Sequence, residues 1–373
     1  MRKSLRLAAG TALTLSLAGA VAFGQHYTQT TLVSNDSGTT PDAQLINPWG
    51  ISRGSGTPWW VSDNGTGLST LYNGAGAKQG IVVTIPPAVA GNTGTPTGTI
   101  YNGSSTDFLL APGAAARFLF CTEDGTIAGW NSAVGVPTGG TPPSTTAVTM
   151  VKTTDGSSFK GMTSATVNGS LYLYVANFTE GRVDVYDTTF TRVHFGGDSF
   201  SDEELPWGFS PFNVQAIGND IVVTYALHER GSIDETDGAG LGYVDVYSST
   251  GRLLHRLQHG AWLNAPWGVA LAPLDFGVFS HDLLVGQFGS GNIAAYDLAS
   301  GRFEGLLEDS TGAPIAIDGL WDISPGNAST GNYNSASAPA AELYFTSGPG
   351  DESGGLLGYL TPVTAEMIKG NAQ

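Results

Sequence analysis

Oxygen-bearing side chains dominate any chemistry available to this sequence. Its 373 residues include 32 Asp and Glu but only 6 His and one Cys. Carboxylates and amides of this kind are hard ligands, suited to Ca2+ or Mg2+ and poorly suited to Zn2+. Asp63, Glu123, Asp124, Asp318 and Asp351 follow short apolar runs and form the candidate metal set. Asn47, Lys160, Asn177, Asn213, Asn264 and Gln287 occupy comparable places and form the candidate ligand-contacting set. His228 is the candidate general acid or base, since imidazole titrates near neutrality. The segment from His228 to Gly242 is the longest of its kind and adds Glu229, Asp234, Glu235 and Asp237. A structural role competes at each position, because Asp and Asn at strand ends accept hydrogen bonds from turn backbone. No His-Glu-x-x-His, Gly-x-Ser-x-Gly or Walker loop is present. Gly65-Thr66-Gly67 opens no helix, so a phosphate cradle is not expected.

Short runs rich in Val, Ile, Tyr, Phe and Leu must position these groups, with Gly/Asn/Asp/Ser/Thr turns between them. The 53 Gly show no collagen period and mark tight turns instead. A unit of two strands closing on an aromatic recurs six times, ending at Tyr72, Trp130, Tyr186, Tyr247, Tyr296 and Tyr359. Asn47-Pro48-Trp49-Gly50-Ile51, Ala265-Pro266-Trp267-Gly268-Val269 and Asp318-Gly319-Leu320-Trp321-Asp322-Ile323 precede three of these pairs. Pro96-Thr97-Gly98, Lys160-Gly161-Met162 and Pro211-Phe212-Asn213-Val214 are weaker copies before the other three. Pro206-Trp207-Gly208 falls out of register and does not start a unit. Fourth strands are expected at Ile81 to Ile85, Ala147 to Val151 and Arg252 to Leu257. Four strands repeated six times predict an all-β, six-bladed β-propeller, which manages sheet edges by radial repetition. The sixth unit lacks a fourth strand, and Tyr27 to Val33 is expected to supply it and close the ring. Trp49, Trp267 and Trp321 are expected to wedge neighbouring blades apart.

One domain is therefore expected over residues 25–365, with a signal peptide at 1–24 and a short tail at 366–373. Arg2, Lys3 and Arg6 form a basic start, and Leu7 to Phe23 is apolar with small residues near its end. This pattern predicts an exported protein, extracellular or periplasmic, without stable membrane insertion after cleavage. Net charge is −17, falling to −20 when those three basic residues are removed. Such a chain is a poor partner for nucleic acid, which requires clustered Lys and Arg. Cys121 cannot form an internal disulfide and reads as a small buried hydrophobe.

The run from Val175 to Asp187, with Arg182-Val183-Asp184-Val185-Tyr186-Asp187, resembles an NHL-type repeat. Asn47 to Ile51, Trp60 to Asn73, Thr122 to Ile127, Asn264 to Pro273 and Asp318 to Trp321 resemble a family of secreted bacterial proteins of uncharacterised function. Some members of that family carry a PEP-CTERM sorting tail. Glu366 to Gln373 has no apolar anchor of that type. The resemblance implies a propeller and export, and it carries over no catalytic residue. Two functions are weighed. One is a monomeric binding or scaffold module presenting its channel mouth to a polymer, peptide or small ligand. The other is a divalent-metal-assisted hydrolase or lactonase. The absence of a compact acid–base set favours the first.

Overall fold

The computed structural model describes residues 25–36, 40–326 and 341–366. The expected signal peptide lies outside these residues, as does all of the expected tail beyond Glu366. Among the described residues, the β-branched and aromatic runs form six mainly antiparallel blade sheets, with a small two-stranded sheet beside them, because such side chains pack well on a pleated surface. The innermost strands of blades 1 to 6 are Pro48–Ser52, Pro96–Tyr101, Phe159–Val167, Phe209–Ile217, Pro266–Leu271 and Leu320–Pro325. Each contacts the inner strand of the next blade, and the sixth contacts the first. The molecule is a six-bladed propeller with four-stranded blades.

Ring closure follows the sequence reading. Tyr27–Ser34 pairs antiparallel with Leu356–Pro362 and becomes the outer strand of blade 6, with Thr30 opposite Tyr359. All six closing aromatics lie on third strands, one in each blade. The outer strand of blade 1 is only Val83–Thr84, shorter than the five residues expected. Six of the apolar clusters lie between successive blades, as stacked sheets require. Cys121 is buried in one of them, and burial pushes its thiol up to about 12.

A seventh cluster occupies the axis and corrects the expectation for the tryptophans. Trp49, Trp267 and Trp321 do not wedge adjacent blades apart. They meet in the channel with Phe212 and Phe178. Trp49 stacks on Trp321 at 3.5 Å between ring centroids, and Trp267 approaches both edge-on at 5.8 Å. Blades 1 and 5 are not neighbours, so this contact spans the central channel. A left-handed residue two positions before each Trp sets its aim: Asn47, Ala265 and Gly319, with φ of 46°, 47° and 62°. Glycine follows two of the indoles because the inner strands crowd together there. A Cβ on Gly268 would come within 2.6 Å of the Trp321 carbonyl oxygen. In blade 6 that place is Asp322, whose carboxylate accepts from the Ile51 and Ile323 amides at 2.8 and 2.9 Å and bridges the ring seam.

Candidate functional site

The aromatic plug divides the channel. On one side lies a cavity of about 420 Å3, with Asn213, Gln215, Trp267 and Asp322 in its wall. On the other, the inner strands begin and the turns between second and third strands gather. Lys160 sits at the repeat position that holds Trp49, Phe212, Trp267 and Trp321 in other blades. Its side chain is 1% exposed. The ammonium lies 5.1 Å from the Trp49 ring and 5.8 Å from the Phe178 ring, within cation–π range.

Carboxylates from three other blades surround it. Glu123 of blade 2 pairs with Lys160 at 2.6 Å, and its other oxygen accepts from Asn64 of blade 1 at 2.8 Å. Asp234, in the long blade 4 loop, stands 3.6 Å from the same ammonium. Glu352 of blade 6 accepts from the Asn47 amide at 2.6 Å, while Asn47 Oδ1 accepts from the Trp321 indole at 2.8 Å. Glu235 is half-buried beside Asp234, its backbone paired with His228. Asn264 of blade 5 accepts from the Gly238 amide at 2.5 Å and ties down the same loop. All six blades therefore contribute to the mouth.

Charge is unbalanced there. Burial opposes the Lys160 charge, but Glu123 and Glu235 outweigh it and hold the ammonium above its ordinary range. Burial pushes Glu235 up to about 7, with Lys160 opposing and Glu352 and Asp234 reinforcing. Glu352 is also raised, by burial first and by Glu123 and Asp234 after the opposing Asn47 hydrogen bond. One ammonium thus faces four carboxylates, two of which are held protonated more readily than in water.

The other residues singled out in the sequence mostly fasten the fold. Asn177 donates to Ser157 Oγ and Asp184 at 2.9 and 2.8 Å, fully buried. Gln287 accepts from the Asn264 amide at 2.8 Å. Asn213 bonds to the Trp267 carbonyl at 2.8 Å and lies beyond the plug, so its expected place at the mouth is corrected. His228 is fixed at both nitrogens: Nε2 donates to the Ser232 carbonyl at 3.0 Å, leaving Nδ1 to accept from Ser210 at 3.1 Å. Asp63 is buried within blade 1 and accepts from the Thr70 amide at 2.9 Å. Asp124 accepts from Thr122 and the Ala88 amide, both at 2.5 Å. Asp318 accepts from the Gly350 amide at 2.9 Å, and exposed Asp351 occupies a left-handed turn. Only Glu123 of the five metal candidates reaches the Lys160 cluster. No three His, Cys, Asp or Glu side chains group as cation ligands among the described residues.

From sequence, Glu235 and Glu352 stand only among the acids of the mouth-face loops, with nothing to set them apart as partners of Lys160. A signal for Lys160 was present, since aligning the six inner strands puts a lysine where four blades have an aromatic. The loops that bring Glu235 and Glu352 beside it leave no comparable mark.

Fold and mouth define a β-propeller with an acid-ringed channel entrance. No family model matches the chain. Uncharacterised protein L690 of Acanthamoeba polyphaga mimivirus is 30% identical over 327 residues, covering 86% of this chain and 81% of that protein. The chain belongs to the same family as L690. Uncharacterised protein R648 of that virus is 29% identical over 339 residues, covering 88% and 78%. Among solved structures, the soluble aldose sugar dehydrogenase of Escherichia coli in its apo form gives a TM-score of 0.54 at 11% identity, covering 90% of this chain and 99% of that one. A protein of unknown function from Bacteroides thetaiotaomicron gives 0.52 at 12% identity, covering 90% and 76%. At these identities the likeness is one of fold.

Proposed function

We propose that the protein is an exported binding propeller whose mouth takes a cationic ligand, such as an amine-bearing peptide or polymer segment. The observation that carries this reading is buried Lys160 facing Glu123, Asp234, Glu235 and Glu352. A low-dielectric entrance holding surplus negative charge focuses potential outward and draws in positive groups. A bound cation supplies what the cluster lacks, so Glu235 and Glu352 ionise as it arrives. The same field repels nucleic acid phosphates. Export is supported by the basic start and apolar run of residues 1–24. Membership of a secreted bacterial family rests on the sequence runs that resemble it.

The test is a thermal shift of the purified chain with tetralysine, tetraglutamate and Ca2+ as separate probes. Tetralysine should raise the melting temperature, with the effect fading as salt rises, and tetraglutamate should not. Equal response to both peptides would defeat the reading. A saturable shift with Ca2+ alone would favour the metal-assisted alternative.

A further inference from the structure

Trp207 belongs to the out-of-register Pro-Trp-Gly motif, and the mouth does not use it. The residue is 94% exposed, whereas a Trp side chain is ordinarily well buried. It sits in the connection that leads from blade 3 into Phe209–Ile217 of blade 4. That connection is tied down on both sides of the indole. Phe200 is buried against Tyr174 and Tyr247, with ring centroids 5.6 and 5.4 Å away. Asp202 pairs with Arg256, which also donates to the Glu204 carbonyl at 3.2 Å. Leu205 packs against the cluster between blades 3 and 4. Beyond Trp207, the Gly208 carbonyl accepts from the His228 amide at 2.7 Å. The fold thus holds this segment in place and leaves its largest apolar side chain in water.

A groove of about 450 Å3 opens beside the indole. Glu180, Ser201, Ser210, His228 and Arg230 share its wall with Trp207. Arg230 is exposed and has no ion-pair partner among the described residues. The His228 ring is held by Ser210 and by the Ser232 carbonyl, so this side of the groove is preformed. An exposed aromatic plate on an anchored segment, beside a carboxylate, hydroxyls and a guanidinium, is chemically matched to a sugar. The C–H face of a pyranose covers the indole, and its hydroxyls meet the polar wall. Leu205, Pro206, Phe209 and Pro211 add to the lining, so apolar surface for the ring face of a sugar lies beside groups that can meet its hydroxyls.

We propose that this groove between blades 3 and 4 binds a pyranose unit of a glycan, with Trp207 as the stacking platform. The groove adjoins the mouth at His228, which pairs with Glu235, but Trp207 lies outside the Lys160 cluster. The experiment titrates the full chain with cellohexaose, chitohexaose and mannohexaose, read by calorimetry and tryptophan fluorescence. At least one should bind with a millimolar or tighter constant and shift the emission to the blue. Trp207→Ala should weaken that binding by about tenfold or more with an unchanged melting temperature, and Trp207→Tyr should retain most of it. Glu235→Gln should leave it intact. Failure of all three sugars to bind at millimolar concentration would overturn the proposal. So would binding that survives Trp207→Ala, or concentration-dependent self-association that Trp207→Ala abolishes.

Discussion

Lys160 shows how one substitution in a repeat changes what a position does. In four other blades an aromatic at that position fills the channel; here a lysine sets its ammonium over the Trp49 ring and offers its charge to acids from neighbouring blades. Removing one partner of a buried pair leaves the other uncompensated. Lys160→Met should therefore cost about 3–5 kcal/mol in urea unfolding, and adding Glu123→Gln should recover part of that loss. Glu235 makes the opposite prediction. Its folded pKa is raised to about 7, so it favours folding while protonated, and that contribution is lost as pH rises from the ordinary carboxylate range through about 7. Glu235→Gln mimics the neutral acid. Melts at about pH 5 and about pH 8 should show the variant losing less than the parent over that interval.

Strand periodicity and the closing aromatics made the blades legible, and the unpaired edge of blade 6 pointed to Tyr27 to Val33, within the strand that pairs there. The destination of the tryptophans was not legible. Spacing places Trp49, Trp267 and Trp321 at equivalent positions, but the left-handed residues before them decide whether the rings point between blades or down the axis. The mouth was half legible for a related reason. Strand-end amides such as Asn177 and Gln287 lie inside the ring and satisfy backbone or neighbouring carboxylates, while the acids that face the opening come from the connections between strands. Because Trp321 stacks on Trp49 and bonds to Asn47, it joins the plug to the mouth. Trp321→Ala should cost about 3–5 kcal/mol, measured by urea unfolding. It should also loosen Glu352 through Asn47.

Across the whole molecule, buried acids set the pH range of stability. Burial raises Asp245 and Asp282 to about 6 and Asp322 and Glu235 to about 7. For each, the folded state binds the proton more tightly, so stability falls as pH climbs from about 4 towards 7. Asp155, Asp187 and Asp42 are lowered instead: Asp155 chiefly by Ser157, and the other two by hydrogen bonds that outweigh their burial. Their stabilisation is complete above the ordinary carboxylate range and is lost as pH drops below it. The two groups together predict maximal thermal stability in mildly acid solution. The melting temperature at about pH 5 should exceed that at about pH 8, and a flat or rising profile over this interval would contradict the burial of these acids.

Cation binding at the mouth is the central claim, and calorimetric titration with tetralysine tests it most directly. The parent chain should bind at about pH 8 and lose about tenfold in affinity by about pH 6, as Glu235 takes up its proton. A Glu235→Gln/Glu352→Gln chain should bind about tenfold more weakly than the parent at pH 8 and show little further change with pH. Equal affinity in the two chains, or no heat of binding to the parent at either pH, would contradict it.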